Sequence, residues 1–141
     1  MFYNKIEPCD PKFHDKCLAN KEKGRANVIV AGESYGQGSS REHAALCPMY
    51  LGVKAVFAKS IERIHRANLV NFGIVPFLFE SPKDYDKVEA CDRLELKGIR
   101  AAVEGDGVLE VKGPKGAFLV KTTLSDREKH ILLCGGLLAS L

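Results

Sequence analysis

Three short runs constrain this chain more than anything else in it: NVIVAG at 27–32, VKAVFA at 53–58 and IVPFLF at 74–79. Each is rich in β-branched or aromatic residues, too short for a buried helix, and bounded by glycine or a polar turn, so each reads as a buried strand. Between them, SREHAALCPMYLG and SIERIHRANLVNFG carry helical spacing. In the first helix Ala44, Ala45 and Leu46 form the expected apolar stripe, and Pro48 and Gly52 are expected to close it. In the second, Ser60 is the expected N-cap, with Arg63 one turn in and Gly73 as the stop. Strand, loop, helix, strand, helix, strand calls for parallel pairing through right-handed crossovers.

The flanks have a different character. Residues 1–24 are polar and irregular and read as an extended N-terminal arm, with a short helix around Pro11–Lys21. After residue 90 come short alternating segments, DRLELKGI, GVLEVKG and AFLVKTT, separated by glycine-rich turns. They predict small antiparallel strands. The end, SDREKHILLCGGLLASL, reads as a helix opened by a capping box of Ser125 with Glu128 and interrupted or ended at Gly135–Gly136. A length of 141 residues allows one compact domain and not two comfortable ones. The expected class is therefore α/β, a mixed parallel core with small antiparallel strands, forming a single domain over 1–141.

Composition narrows the function. A net charge of +3, with basic residues interleaved with acidic ones as in KEKGR and SDREKH, argues against a nucleic-acid footprint. No segment approaches the ~20 apolar residues that span a bilayer, so no membrane role is expected. The five cysteines are scattered singly, with no C-x-x-C pair. That pattern points to reduced thiols in a cytoplasmic compartment and to no metal site within the chain. Cys134, inside ILLCGGLL, is expected to be a buried thiol.

The loop GQGSSREH is the candidate site. Gly36 and Gly38 allow a sharp turn and close approach to a ligand. Ser39 and Ser40 supply hydroxyls where the first amides of a helix lack internal partners. Arg41 offers a planar fork suited to a carboxylate. A capped helix with polar decoration has the same local sequence, so the spacing alone leaves both readings open. The loop is not a P-loop, because the glycines are not followed by Lys-Ser/Thr, and it lacks the second glycine of a G-x-S-x-G elbow. His43 could face a ligand, although a histidine there more often bonds a neighbouring loop. Around His65, Arg63 and Arg66 could present charge to an acidic substrate or a partner domain, with a solvated helix face as the default.

The string GESYGQGSSREHAALCPMYLGVKAVFAKSIERIHRANLVNFGIVPF closely resembles the signature region of the aconitase C-terminal domain, as does the tail SDREKHILLCGGLL. The resemblance implies a swivelling β/β/α domain, like the small subunit of isopropylmalate isomerase, closing over an active site built by other domains. It also implies roles. Ser39 would be the catalytic base, and Gly38, Ser40 and Arg41 would bind the carboxylates of a tricarboxylate (citrate, cis-aconitate, isocitrate). A [4Fe-4S] cluster would be ligated by another domain, since none of the five cysteines here has a matching context. The partners implied are the remaining aconitase domains or a large subunit, and the chain alone would be inactive. Hydro-lyases of the isopropylmalate, homoaconitate or methylcitrate type share G-S-S-R-E-H, though the A-A-L-x-P-x-Y-L-G continuation favours aconitase. A regulatory RNA-binding module is the alternative from a different class. Two departures stand out: Ser34 where the family has Asn, expected to alter hydrogen bonding in the loop, and Ile61–Glu62 in place of Phe-Ala.

Overall fold

The computed structural model describes residues 13–38 and 41–141, except the Phe13 side chain. The elements in order are α1 (Phe13–Glu22), β1 (Asn27–Ala31), α2 (His43–Tyr50), β2 (Val53–Ala58), α3 (Arg63–Asn71), β3 (Val75–Phe79), a 3-10 helix (Pro82–Lys87), β4 (Glu95–Leu96), α4 (Ile99–Glu104), β5 (Val108–Gly113), β6 (Gly116–Lys121) and α5 (Asp126–Cys134), followed by a 3-10 turn at Leu138–Ser140. Of the N-terminal arm, residues 1–12 lie outside the described residues. The short helix expected near Pro11–Lys21 is found as α1.

One sheet in the order β1-β2-β3-β6-β5-β4 organises the molecule. β1, β2 and β3 pair parallel, with α2 and α3 as the crossovers. β3 then turns the sheet antiparallel by pairing with β6; β5 follows as the hairpin partner of β6, and β4, joined to β5 through α4, completes the edge antiparallel. The mixed architecture expected from the alternating runs is the one present. Parallel neighbours need helix-length crossovers, which α2 and α3 supply, while the two-residue turn between β5 and β6 permits only an antiparallel pair.

Side-chain alternation along β2 splits the core into two layers. Ala55 and Phe57 face a cluster that includes Phe77, Phe79, Val111, Phe118 and Val120, roofed by Ala102 and Val103 of α4 and by Leu132 and Leu133 of α5. Val56 and Ala58 face the opposite cluster, with Ile29, Ala31, Ala45, Leu69 and Ile74. Phe57 is fully buried. Its ring lies edge-on to those of Phe77, Phe79 and Phe118 at centroid distances of 5.8, 6.3 and 6.3 Å, the separation at which aromatic pairs attract beyond simple burial.

Several local expectations needed correction. Leu46 is exposed, because the buried face of the short α2 is formed by Ala45 and Pro48. Pro48 therefore lies inside the helix rather than closing it, and Gly52, at φ +80°, makes the turn into β2. DRLELKGI forms only a two-residue strand, and its Ile99 opens α4, which was not expected. At α5, the Ser125–Glu128 capping box and the left-handed Gly135 at the C-cap are both present. Cys134 is exposed, with its Sγ 3.7 Å from Nε2 of His130, because the last turn of α5 faces it outward.

Replacing Phe57 with alanine removes the ring shared by three aromatic partners and leaves a cavity in the larger layer. We expect Phe57→Ala to cost about 3–5 kcal/mol in urea-induced unfolding, with the slope of the transition retained.

Candidate functional site

In an open α/β sheet, ligands bind beyond the carboxyl ends of the parallel strands. Here those ends present the loop after β1, the segment Lys59–Glu62 after β2, and Glu80–Ser81 after β3. The first two are laced together as an extension of the parallel ladder. Lys59 donates its amide to the Gly32 carbonyl at 3.1 Å, Tyr35 to the Ser60 carbonyl at 3.0 Å, and Glu62 to the Tyr35 carbonyl at 2.9 Å. An isolated parallel bridge joins Tyr35 to Ile61.

Ser60 does not cap α3. Its Oγ accepts the Ser34 amide at 2.7 Å, and the N-cap position belongs to Glu62, whose side chain makes no capping bond. The helix starts later than its sequence suggests because residues 59–62 remain extended to pair with the loop. Ser34 itself sits at φ +52°, in the left-handed region. Asn is enriched there among non-glycine residues, so serine occupies a strained position that the Ser60 bond helps to hold.

The loop then turns through Gly36 and Gly38, at φ +90° and +83°. Gly36 lies directly on the imidazole of His65: a Cβ there would stand 2.3 Å from His65 Cγ, so only glycine fits. Gly36, Gln37 and Gly38, with Glu62, Arg63, Ile64 and His65 at the start of α3, line an open pocket of about 220 Å³. Ser39 and Ser40 lie outside the described residues. Arg41 is exposed where the loop enters α2, and Ala44 donates its amide to the Arg41 carbonyl at 3.0 Å. α2 begins at His43, and its N-cap position, Glu42, supplies no side-chain bond. His43 stands exposed on the first turn of that helix.

His65 is the residue the sequence undervalued. It is 2 % exposed, and among the described residues neither ring nitrogen has a hydrogen-bond partner. Burial pushes its pKa down, so the ring is held neutral. Tyr35 packs edge-on against it at 4.9 Å, and burial raises the Tyr35 phenol to about 12, which keeps it protonated and unfit as a base. The signal available in RIHRANL was that His65 shares a helix face with Leu69, four residues on, which is fully buried. Of the flanking arginines, Arg63 is exposed at the pocket rim, whereas Arg66 is not a free helix-face charge. Its guanidinium pairs with Glu128 Oε1 at 2.5 Å and donates to the Thr123 carbonyl.

Among the described residues no three His, Cys, Asp or Glu side chains converge to hold a metal ion. The thiols of Cys17, Cys47, Cys91 and Cys134 are all free, the first buried and the others exposed. These residues do not form a cradle for an iron–sulfur cluster. Among the described residues, no helix is long and apolar enough to cross a membrane.

The comparisons agree with this geometry. The family model of the aconitase C-terminal domain matches residues 3–82, which include all of β1 to β3 and the glycine loop. The chain belongs to the aconitase C-terminal domain family. It is 38 % identical over 128 residues to the mitochondrial aconitate hydratase of Gracilaria gracilis, covering 88 % of this chain and 16 % of that protein. With the mitochondrial aconitate hydratase of Saccharomyces cerevisiae it shares 41 % identity over 95 residues, covering 67 % of this chain and 12 % of the relative. The chain thus spans about a sixth or less of the length of these curated relatives. Among solved structures, the 3-isopropylmalate dehydratase of Methanocaldococcus jannaschii superposes with a TM-score of 0.66 at 30 % identity, covering 96 % of this chain and 79 % of the other. The β/β/α fold is therefore the one the sequence implied.

Because the His65 pKa is depressed in the folded chain, the unfolded chain binds more protons as pH falls past the ordinary imidazole value of 6.5. Folding stability is then complete above that value and declines as pH drops from 6.5 toward the folded pKa. Urea midpoints measured between pH 7.5 and 5.5 should fall with acidification, and His65→Phe should flatten that dependence.

Proposed function

We propose that this chain is the domain of an aconitate hydratase that supplies the proton-abstracting serine and part of the carboxylate grip. The observation that carries the reading is the glycine loop: it lies beyond the carboxyl ends of the parallel strands, is laced to residues 59–62, and leads through Ser39 and Ser40 to an exposed Arg41. In this reading Ser39 removes the proton from the carbon next to a substrate carboxylate. An ordinary serine is a poor base, so its alkoxide needs donors already in place, and loop amides next to an arginine meet that need. Gly38, Ser40 and Arg41 hold carboxylates of a tricarboxylate such as citrate, cis-aconitate or isocitrate. Arg41 does so through two parallel N–H bonds.

The rest of the active site comes from the remaining aconitase domains or a large subunit, in keeping with the small share of its relatives that this chain spans. A [4Fe-4S] cluster carried by that partner would supply Lewis acidity toward the substrate hydroxyl. The compartment proposed is a reducing one, in which free thiols persist. A second reading is supported by the structural neighbour named 3-isopropylmalate dehydratase, whose match takes in 96 % of this chain and 79 % of the neighbour: the small subunit of a hydro-lyase acting on a related hydroxy-dicarboxylate. Turnover of citrate against 3-isopropylmalate by this chain joined to its cluster-bearing partner separates the two.

In that assembled enzyme Ser39→Ala should lower kcat by at least about a thousandfold, as expected when the group that takes the proton is lost. The secondary structure should be unchanged by circular dichroism. Near-normal kcat would remove Ser39 as the base. Arg41→Lys should chiefly raise KM, by about tenfold or more, because an ammonium cannot make the bidentate contact. An unchanged KM would remove Arg41 as a carboxylate ligand.

A further inference from the structure

Two arginines flank His65, and the fold treats them differently. Arg66 is occupied by Glu128 and the Thr123 carbonyl. Arg63 is exposed, and its guanidinium has no hydrogen bond or ion pair among the described residues. It holds the first helical position of α3, on the rim of the pocket of about 220 Å³ that Gly36, Gln37 and Gly38 line from the other side. Side chains on a helix lean toward its N-terminus. From the first position, that lean carries the guanidinium out over the helix end.

The wall on that side is rich in donors and short of acceptors. The N-cap of α3 makes no side-chain bond, and the amides of Arg63, Ile64 and His65 have no partner among the described residues. The first amide of the helix to find one is that of Arg66, which donates to the Glu62 carbonyl at 2.8 Å. His65 lines the same pocket, 2 % exposed, with both ring nitrogens unpaired among the described residues. Buried polar atoms are nearly always paired, so an unpaired ring at a cavity wall calls for a reason. Glu62 is the acidic residue in the lining, and it is exposed and makes no bond to these amides. Free amides at the positive end of a nine-residue helix suit an anion. A planar guanidinium beside them suits one with two oxygens in a plane.

We propose that this pocket is a carboxylate subsite, in which the Arg63 guanidinium and the free amides of Arg63, Ile64 and His65 bind one carboxylate of the substrate. This rests on the reading of the chain as a domain acting on a tricarboxylate or a related dicarboxylate. It adds a binding group that lies outside GQGSSREH. No movement of the glycine loop is required, since Arg63 and the three amides already stand at the pocket.

The test is Arg63→Gln in the intact enzyme, assayed with whichever of citrate and 3-isopropylmalate the wild type turns over. Loss of the fork should raise KM by about tenfold or more and leave kcat within about threefold, because the contact is made equally in the ground and transition states. Arg63→Lys, which keeps the charge without the fork, should fall between the two. Both variants should melt with wild type, since the side chain is exposed and unpaired. Lys54→Gln removes the same charge from an exposed position on β2 and should leave KM unchanged. An equal rise in KM there reduces the effect to net charge and overturns the proposal. A wild-type KM in folded Arg63→Gln overturns it too, including the case in which only association with the cluster-bearing partner weakens. If Arg63→Gln fails to fold, Arg63→Lys decides: a raised KM supports the proposal and an unchanged KM overturns it. If the wild type turns over neither compound, its Kd for propane-1,2,3-tricarboxylate is measured instead. Binding that weakens about tenfold in Arg63→Gln keeps this proposal while removing the hydro-lyase reading. Binding that the substitution leaves unchanged overturns the proposal, and no binding at all removes both.

Discussion

The structure depends on one extension of backbone pairing: the parallel ladder between β1 and β2 continues past the strand ends, through Gly32, Tyr35 and the segment Lys59–Glu62. A loop of this composition, with two glycines at positive φ and a left-handed serine, has little internal reason to hold one shape. The lacing removes most of that freedom. It also explains why α3 begins at Arg63 instead of running from Ser60. Those residues cannot be helical and extended at once, and the ladder bonds, with the Ser34–Ser60 contact, outweigh one more turn of helix.

α3 then transmits the stability of the core to the loop. Its first turn lines the pocket and carries His65, while Leu69 and Val70 sit in the buried interior. It is held along its length by α5 and the residues flanking that helix. Arg66 is clamped by Glu128 and the Thr123 carbonyl, and Leu137 donates its amide to the Asn71 carbonyl at 2.8 Å. Gly73 and Gly136 allow the chain segments to meet backbone to backbone, since a Cβ on Gly73 would stand 2.5 Å from the Gly135 carbonyl oxygen. Glu128 serves two purposes in this arrangement, completing the α5 capping box and anchoring Arg66. The bonds from Arg66 and Ser125 hold its carboxyl below the usual range against the opposing effect of burial. The last helix of the chain is therefore part of the support for a loop near its beginning.

What could be read from the residues was what repeats with a period or is decided within a few positions. The strands NVIVA, VKAVFA and VPFLF, their parallel order, the Ser125 capping box and the Gly135 stop all belong to that kind. What could not be read depended on partners distant in sequence. Ser60 looked like an N-cap because the local rule cannot see Ser34. Cys134 looked buried because ILLC is apolar, although only one face of α5 meets the core. α4 was missed because DRLELKGI reads as one alternating segment running through Gly98 to Ile99, while the spacing of Ile99, Ala102 and Val103 carried the helical period that a longer window would have found. The family likeness of GQGSSREH marked where chemistry belongs but not what supports it, and His65 passed for one more polar residue between two arginines.

Three of the places where local rules fail lie close together. A serine at φ +52°, an N-cap without a side-chain bond and a buried histidine without partners all fall within residues 34–65, around one pocket. Elsewhere exceptions are scattered singly, with Asn68 Nδ2 and Thr122 Oγ1 also buried without partners, Gly98 capping α4 without a side-chain bond and Cys91 at φ +67°, while glycine takes the remaining left-handed positions and the best-formed cap is on α5. Sequences tend to be locally consistent, and concentrated violations mark sites where function sets the conformation. The strain at Ser34 and the idle nitrogens of His65 bear on the same loop from opposite sides. Relaxing either by substitution would make the fold easier to satisfy while removing a constraint on the turn through Gly36 and Gly38.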